Sequence, residues 1–206
     1  GTPVPTEEHP GHWNTVALVK EEGKIFCTGA VVAPNLVVTA KHCLMDKKDQ
    51  KIQLYFGDDT TKPDAGLYRP IIDYDVRHPV DWTMTFPSFD IAWVKFSGGL
   101  PHPFKPLPVL SNPKFLEKNM EVTQVGFGDH NPDVGSVDAG QKLHGKTRLH
   151  NYINNPRFFH ILVFNGDEGQ GSCHGDSGGP AYVKVRGEWF IAGVTNGFDI
   201  VLTPRA

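Results

Sequence analysis

The sequence predicts an all-β protein built from many short strands, and three observations support this. Apolar, β-branched runs recur between turn residues along the chain. The 22 glycines and 17 prolines are spread throughout and interrupt long elements. No window of about a dozen residues forms a convincing amphipathic helix. Short strands separated by turns favour a sandwich or a barrel over a βαβ sheet.

The candidate strands follow one another at short intervals in both halves of the chain. They are Thr15–Val19, Ile25–Val32, Leu36–Thr39, Ile52–Phe56, Ile91–Phe96, Glu121–Val125, Phe158–Phe164, Ala181–Val185 and Trp189–Val194. Prolines and glycines in Ser97–Pro113 interrupt any strand ladder there and mark a linker. We therefore expect one domain over residues 1–206, with two β halves at about 1–100 and 101–206. Gly57–Gly66 and Gly126–Gly140 are expected to be long surface loops.

Charge and hydropathy exclude several functional classes. The chain has 20 Lys and Arg against 23 Asp and Glu, and it contains no basic block that would bind nucleic acid. No apolar run approaches the roughly 20 residues of a membrane span. The sequence opens with Gly1-Thr2-Pro3-Val4-Pro5, without a secretory signal, so an exported protein would be a mature or trimmed form.

A serine lies on a turn that is rich in glycine. Gly175-Asp176-Ser177-Gly178-Gly179-Pro180 gives Ser177 small neighbours, which let a substrate carbonyl approach backbone N–H groups. The spacing also satisfies Gly-x-Ser-x-Gly, the nucleophile elbow of α/β-hydrolases. In that fold the histidine follows the serine, and no histidine follows Ser177. A glycine turn without function is the alternative interpretation of the hexapeptide taken alone.

His42 and Asp90 precede Ser177 in an order that fits a catalytic triad. His42 ends the hydrophobic run that starts at Leu36, and Asp90 opens the run Asp90–Phe96. The subtilisin order is excluded because no aspartate precedes His42. Each residue alone is commonly structural, so the prediction depends on the order His, Asp, Ser.

These segments resemble the motifs of the trypsin-like serine protease family. Thr39-Ala40-Lys41-His42-Cys43 resembles the family's Thr-Ala-Ala-His-Cys, Asp90–Phe96 resembles its Asp-Ile-Ala-Leu block, and the hexapeptide around Ser177 matches in full. Weaker similarities lie in Phe26–Ala40, His78-Pro79, Val125–Gly128 and Ile191–Gly197. The resemblance implies two packed six-stranded antiparallel β-barrels with the triad in the cleft between them.

The resemblance also implies a role for each residue of the triad. Ser177 attacks the scissile carbonyl, His42 transfers the proton, and Asp90 fixes the imidazole tautomer. The backbone N–H groups of Gly175 and Ser177 form the oxyanion hole. The expected function is that of a serine endopeptidase working through an acyl-enzyme, without a cofactor. Protein or peptide substrates and protease inhibitors are the expected partners.

The three cysteines have different expected roles. Cys27 and Cys43 resemble the family's bridge that braces the histidine loop, which implies an oxidising compartment and a secreted or periplasmic location. Two reduced core thiols are the alternative. Cys173 resembles the half-cystine beside the specificity pocket, but no cysteine follows it. We expect a free or an intermolecular thiol there.

Substrate specificity is expected to depend on the residues before the serine. In the family pattern Gly171 is the pocket floor, flanked by Ser172 and His174, and the absence of an aspartate there predicts an uncharged P1 side chain. If the loop is shifted, Asp167 or Glu168 reaches the pocket instead.

The strand edge Thr195-Asn196-Gly197 is expected to pair with the substrate backbone. Asn196 departs from the tryptophan usual in the family, and Phe198 would narrow the entrance. No metal site is predicted, because His9 and His12 come without a helix or a third ligand, and HExxH is absent.

Activation is expected to involve Asp176. In the family, the aspartate before the serine pairs with a new Ile-like N-terminus, and Gly1-Thr2-Pro3-Val4 resembles the stretch just after it. Without that amine the Gly175 amide is not aimed at the oxyanion, and activity would be low. The alternative function is a catalytically silent or zymogen-like homologue that binds a protein partner, and an esterase is a more distant one.

Overall fold

A computed structural model gives the fold of this chain and describes residues 1–4, 8–21, 23–45, 47, 50–75, 90–129, 139–155, 159–164 and 173–196. Within these residues the strands are β1 (Thr2–Pro3), β2 (Thr15–Lys20), β3 (Ile25–Ala33), β4 (Leu36–Thr39), β5 (Ile52–Phe56), β6 (Leu67–Tyr74), β7 (Ala92–Phe96), β8 (Glu121–Gly126), β9 (Leu143–Asn155), β10 (Phe159–Phe164), β11 (Pro180–Val185) and β12 (Glu188–Val194). One short helix, α1 (Pro10–Asn14), precedes β2. The all-β fold class is confirmed. In the described part of the chain, no helix is long and apolar enough to cross a membrane.

Strands β2 to β7 close a barrel in the order β2-β3-β4-β7-β6-β5, and every pair is antiparallel. Val16 and Leu18 on β2 point into the barrel core. Their neighbours Ala17 and Val19 face the other way and pack with Phe127, which belongs to the second half. Strand β2 is therefore buried on both faces, which explains why its sequence is apolar throughout.

The second half contains an antiparallel sheet of six strands. Its order is β1-β9-β8-β11-β12, and β10 pairs with the far end of the long strand β9. Strands β11 and β12 form a hairpin that turns at Arg186 and Gly187, with φ angles of 51° and 88°. Positive φ at both positions is what a tight hairpin with the correct twist requires.

The loop after β5 joins the barrel to the second sheet. The N–H of Thr60 donates to the carbonyl of Gly140 at 2.8 Å, and the N–H of Lys142 donates to the carbonyl of Asp58 at 2.8 Å. The Lys142 ammonium also lies 2.9 Å from the Asp58 carboxylate. The first residues of Gly57–Gly66 therefore form part of a junction.

Lys142 itself is enclosed at this junction. Its side chain has no exposed surface, and its Nζ lies 5.2 Å and 5.4 Å from the ring centres of Phe104 and Phe127. Burial lowers the pKa of Lys142 to about 8 because the ammonium loses its hydration, and the Asp58 carboxylate acts in the opposite direction.

A second polar junction surrounds the end of α1. The Asn14 amide donates to the carbonyls of Val31 at 2.7 Å and Lys105 at 3.0 Å. Its Oδ1 accepts from the hydroxyl of Tyr182 at 2.9 Å, and that hydroxyl also bonds Thr15 at 2.8 Å. Burial raises the pKa of Tyr182. The polar side-chain atoms of this network all have hydrogen-bond partners, so it holds β11 against the barrel without leaving one of them buried and unpaired.

Two expectations need correction. The interpretation of Gly126–Gly140 as a surface loop is wrong at its start, because Phe127 is fully buried and Asp129 nearly so. Residues 130–138 lie outside the described part of the chain. The long strands β6 and β9 were also not among the predicted strands.

Candidate active site

His42 lies in a turn at the end of a barrel strand. β4 leads through Ala40, which is fully buried, into a single 3₁₀ turn, Lys41–Cys43. The Cys27–Cys43 disulfide bonds this turn to β3 across a separation of 16 residues. The pairing that the resemblance implies is thus present in the structure, and it restrains the loop that carries the imidazole.

Asp90 bonds His42 at two points. One carboxylate oxygen accepts from the His42 backbone N–H at 2.9 Å, and the other lies 2.7 Å from Nδ1. The Asp90 side chain is only 3% exposed and the His42 side chain 24%. Because an ionised carboxylate only accepts hydrogen bonds, the proton of a neutral imidazole is held on Nδ1 and Nε2 is left as the basic nitrogen.

The turn that carries Ser177 requires its glycines. Gly175 and Gly178 have φ angles of 101° and 82°, a region that side chains disfavour. A Cβ on Gly178 would collide with Thr39 Oγ1 and with the carbonyl oxygen of Thr28. The glycine-rich motif therefore lets the Ser177 turn pack directly on β3 and β4 of the barrel.

Thr28 on β3 holds this turn in place. Its backbone N–H donates to the carbonyl of Ser177 at 2.9 Å, and its hydroxyl donates to the carbonyl of Gly175 at 2.8 Å. The hydroxyl also accepts from the N–H of Phe127 at 3.1 Å. Sequence reasoning missed Thr28, because a single threonine in a strand carries no motif signal.

One sulfur atom contacts both candidate catalytic segments. Cys43 Sγ lies 3.8 Å from His42 Nε2 and 3.7 Å from the carbonyl oxygen of Ser177. A disulfide sulfur has no proton, so these are packing contacts and not hydrogen bonds. Cys27, His42 and Cys43 come close enough together for metal ligands, but two sulfurs bonded to each other offer no thiolate.

The Ser177 turn carries the two backbone N–H groups that the sequence analysis expects to bind an oxyanion. Among the described residues, the N–H groups of Gly175 and Ser177 donate to no acceptor. The two donors belong to one turn whose carbonyls are fixed by Thr28. Donors that are fixed in advance need no reorganisation when they bind a negatively charged oxygen.

The Asp176 carboxylate faces away from the turn into the second half. Its oxygens accept from the N–H of Gly128 at 2.8 Å and of Cys173 at 2.9 Å. Burial raises the pKa of Asp176, and the two amide hydrogen bonds oppose that rise. A Cβ on Gly126 or on Gly128 would collide with this carboxylate. This explains why both positions in Val125–Gly128 are occupied by glycine.

The predicted substrate-binding residues are only partly described. Thr195 follows β12 and bonds the Ser177 turn, donating to Gly179 at 2.8 Å and accepting from Gly178 at 2.6 Å. Asn196 Oδ1 is buried and has no partner in the described part of the chain. His174 is exposed, and Cys173 is a half-buried free thiol. The other three predicted residues, Gly171, Ser172 and Gly197, lie outside the described residues, as do Asp167, Glu168 and Phe198.

Comparisons with known proteins agree on one class of protein. The Trypsin family model matches residues 4–199. A mouse (Mus musculus) tryptase is 28% identical over 202 residues, which cover 83% of this chain and 68% of the relative. A trypsin from Saccharopolyspora erythraea is 27% identical over 214 residues, covering 95% of this chain and 84% of the relative.

A solved structure also resembles this fold. Neuropsin, a serine protease expressed in the limbic system of mouse brain, superposes with a TM-score of 0.70 at 18% identity, covering 92% of this chain and 84% of that chain. At this identity the likeness concerns the fold. The family match over nearly the whole length decides the class: the chain belongs to the trypsin family of serine endopeptidases.

Proposed function

We propose that this protein is an active endopeptidase in which Ser177, His42 and Asp90 form the catalytic triad. Ser177 Oγ attacks the scissile carbonyl while His42 Nε2 takes its proton, which gives a tetrahedral intermediate and then an acyl-enzyme. His42 returns the proton to the leaving amine, and water hydrolyses the ester by the same steps.

The observation that carries this proposal is the double hydrogen bond between Asp90 and His42. The bond to the backbone N–H fixes the carboxylate relative to the turn, and the bond to Nδ1 fixes the ring. The same carboxylate stabilises the imidazolium that forms when Ser177 is deprotonated. A protein that only binds a partner has no need of a buried carboxylate aimed at a partly exposed imidazole.

The developing oxyanion would be held by the N–H groups of Gly175 and Ser177. Both are unengaged within the described residues, and Thr28 fixes the turn from the barrel side. In related sites the loss of one oxyanion donor costs roughly 3–4 kcal/mol of transition-state stabilisation. Asp176 would keep the Gly175 amide oriented through its bonds to the neighbouring backbone, in keeping with an activation-linked role.

For specificity we propose an uncharged P1 side chain, with Gly171, Ser172 and His174 around the pocket. Thr195, Asn196 and Gly197 would bind the substrate backbone as an added strand. The hydrogen bonds between Thr195 and the Ser177 turn support this by joining the strand edge to the nucleophile.

We further propose that the protein is secreted or periplasmic, that its substrates are proteins or peptides met there, and that protease inhibitors bind the same strand edge. The Cys27–Cys43 bridge supports an oxidising location. The division into halves at about residue 100 is likewise proposed. It is supported by the order of the strands: β7 is the last strand of the barrel, and the next strand, β8, belongs to the second sheet.

The test is covalent labelling with a fluorophosphonate probe, which reacts with an activated serine. Wild-type protein should be labelled and Ser177→Ala should not. Ser111→Ala, a change of an exposed serine to which the proposal gives no role, should label like wild type. Absence of labelling in the wild type, with and without an Ile-type N-terminus added before Gly1, would favour the catalytically silent homologue.

Specificity needs a separate measurement. Protein that reacts with the fluorophosphonate probe should cleave a peptide library after uncharged P1 residues. A preference for Arg or Lys would overturn the interpretation of Gly171 as the pocket floor.

A further inference from the structure

Gly175 carries one of the two proposed oxyanion donors, and a glycine does not fix its own orientation. Its φ angle of 101° lies in a region that glycine enters without steric cost. Among the residues that the structure describes, Gly175 makes a single hydrogen bond, in which its carbonyl accepts from the hydroxyl of Thr28 at 2.8 Å. The direction of the Gly175 backbone therefore depends on a side chain of the barrel.

The two residues that follow Gly175 are held by other groups. The backbone N–H of Asp176 donates to the carbonyl of Cys173 at 3.0 Å. The carbonyl of Ser177 accepts from the backbone N–H of Thr28, which any residue at that position could donate. In the described part of the chain, the side chain of Thr28 is thus needed at Gly175 and at neither of its two successors.

The Thr28 hydroxyl is itself fixed from the second half of the protein. Thr28 is fully buried, and its hydroxyl oxygen accepts from the backbone N–H of Phe127 at 3.1 Å. An amide N–H only donates and a carbonyl oxygen only accepts, so the hydroxyl proton is directed at the carbonyl of Gly175. The carbonyl of Phe127 in turn accepts from the N–H of Gly140 at 2.9 Å. Both halves of the protein therefore determine the direction of this O–H group.

We propose that Thr28 is a positioning residue of the active site: its hydroxyl fixes the Gly175 carbonyl so that the N–H of the same residue faces the oxyanion. This rests on the proposed function, in which Gly175 is an oxyanion donor. A fully buried Thr28 does not touch the substrate and acts on the transition state through Gly175. Its loss should slow formation of the tetrahedral intermediate without weakening the binding of substrate.

The test compares Thr28→Val, which removes the hydroxyl and keeps the shape of the side chain, with Thr28→Ser, which keeps the hydroxyl. Acylation by p-nitrophenyl acetate is measured as the rate of the p-nitrophenol burst over a range of ester concentrations. In Thr28→Val the limiting rate should fall about 10-fold to 100-fold, less than the roughly 10²–10³-fold effect of losing a whole oxyanion donor. The half-saturating ester concentration should stay at the wild-type value.

The controls separate positioning from packing. Thr28→Ser should acylate at the wild-type rate, and so should Thr147→Val, the same change at a buried threonine on β9. If thermal unfolding shows that Thr28→Val does not fold, Thr28→Ala and Thr28→Ser give the same comparison, because they differ by one hydroxyl. A folded Thr28→Val that acylates like wild type, or equal losses in Thr28→Val and Thr28→Ser, would overturn the proposal.

A measurement without turnover separates this proposal from the proposed function. Isotope labelling of histidine carbonyl carbons and glycine nitrogens gives one NMR signal for each His-Gly pair, and the sequence has two, His174-Gly175 and His144-Gly145. His144→Gln removes the second signal and assigns both. The Gly175 signal should move in Thr28→Val and return in Thr28→Ser, while the Gly145 signal stays in place.

The two sets of results fail independently. If the wild type reacts with neither the ester nor the fluorophosphonate, the proposed function fails while the NMR signals still decide whether Thr28 fixes the Gly175 backbone. A Gly175 signal that is unmoved in folded Thr28→Val overturns the positioning role even in an enzyme that acylates.

Discussion

The carboxylate of Asp58 lies 2.9 Å from the ammonium of Lys142, and the two members of this ion pair differ sharply in exposure. The lysine side chain has no exposed surface, whereas the aspartate side chain is 58% exposed. Removing one partner should therefore not be equivalent to removing the other.

Asp58→Ala should lower the free energy of unfolding by about 2 kcal/mol, because it leaves a buried ammonium without its counter-charge. Lys142→Met should change it by less than about 1 kcal/mol or stabilise the fold, since an apolar chain fits between the two phenylalanine rings and Asp58 stays hydrated. Denaturant unfolding of both variants measures this. Equal losses would show that the ion pair itself is what stabilises the junction.

Gly178→Ala should be far more damaging than Gly187→Ala, although the two glycines have similar φ angles of 82° and 88°. A Cβ at Gly178 meets Thr39 and the Thr28 backbone, whereas nothing lies within 4 Å of one at Gly187. We expect a loss of roughly 1–2 kcal/mol at Gly187, from the backbone alone. At Gly178 we expect a larger loss and no fluorophosphonate labelling, and thermal unfolding of the two variants would reveal the difference.

Asp90→Asn should lower kcat on the order of 10⁴-fold with little change in KM, as expected for a triad whose histidine is left in the wrong tautomer. An asparagine amide can donate to Nδ1 only when that nitrogen carries no proton. The proton of the neutral imidazole would then lie on Nε2, which could no longer act as the base. Asp73→Asn, an exposed change on β6, serves as the control in steady-state kinetics. A loss of less than tenfold for Asp90→Asn would mean that Asp90 is not the orienting residue.

Acid should destabilise the fold through His9. Burial, followed by the charges of His144, His12 and Lys146, lowers the pKa of His9 from 6.5 to about 4. Between these values the unfolded chain binds a proton that the folded chain does not, so the free energy of unfolding falls as pH drops from 6.5 to 4. The full effect is about 3 kcal/mol and is complete below pH 4.

His9→Asn isolates this effect. The N–H of Gly11 donates to His9 Nδ1 at 3.1 Å, at the start of α1, and asparagine provides an equivalent cap without titrating. Stability measured from pH 7 to pH 4 should depend less on pH in this variant, whereas His150→Asn, at an exposed site, should behave like wild type. Parallel curves for His9→Asn and wild type would assign the acid sensitivity to other groups.

Local patterns predicted most of the barrel. Leu36–Thr39 and Ile52–Phe56 are strands with the predicted bounds, because continuous β-branched and apolar runs between turns are typical of strands buried in a core. β6 was missed because it contains Pro70 and none of its residues is fully buried. β9 was missed because its polar residues and Gly145 interrupt the pattern, and its conformation is set by pairing with distant strands.

The candidate site divides in the same way. His42, Asp90 and Ser177 were predicted because each lies in a recognisable local segment, and the structure brings Asp90 onto His42. Thr28 was not predicted to matter, because its effect depends on contacts with residues far away in sequence. Gly171, Ser172 and Gly197 remain sequence predictions.

The pairing of β1 with β9 has a consequence for the order in which the protein folds during synthesis. Thr2 pairs with His144 and Pro3 with Leu143, whereas the whole barrel is built from strands β2 to β7. Since chains emerge at about 5–20 residues per second, the barrel is complete several seconds before β9 leaves the ribosome. Although β1 precedes the barrel strands in the chain, it is therefore among the last strands to dock, and it stays open to other partners in the interval.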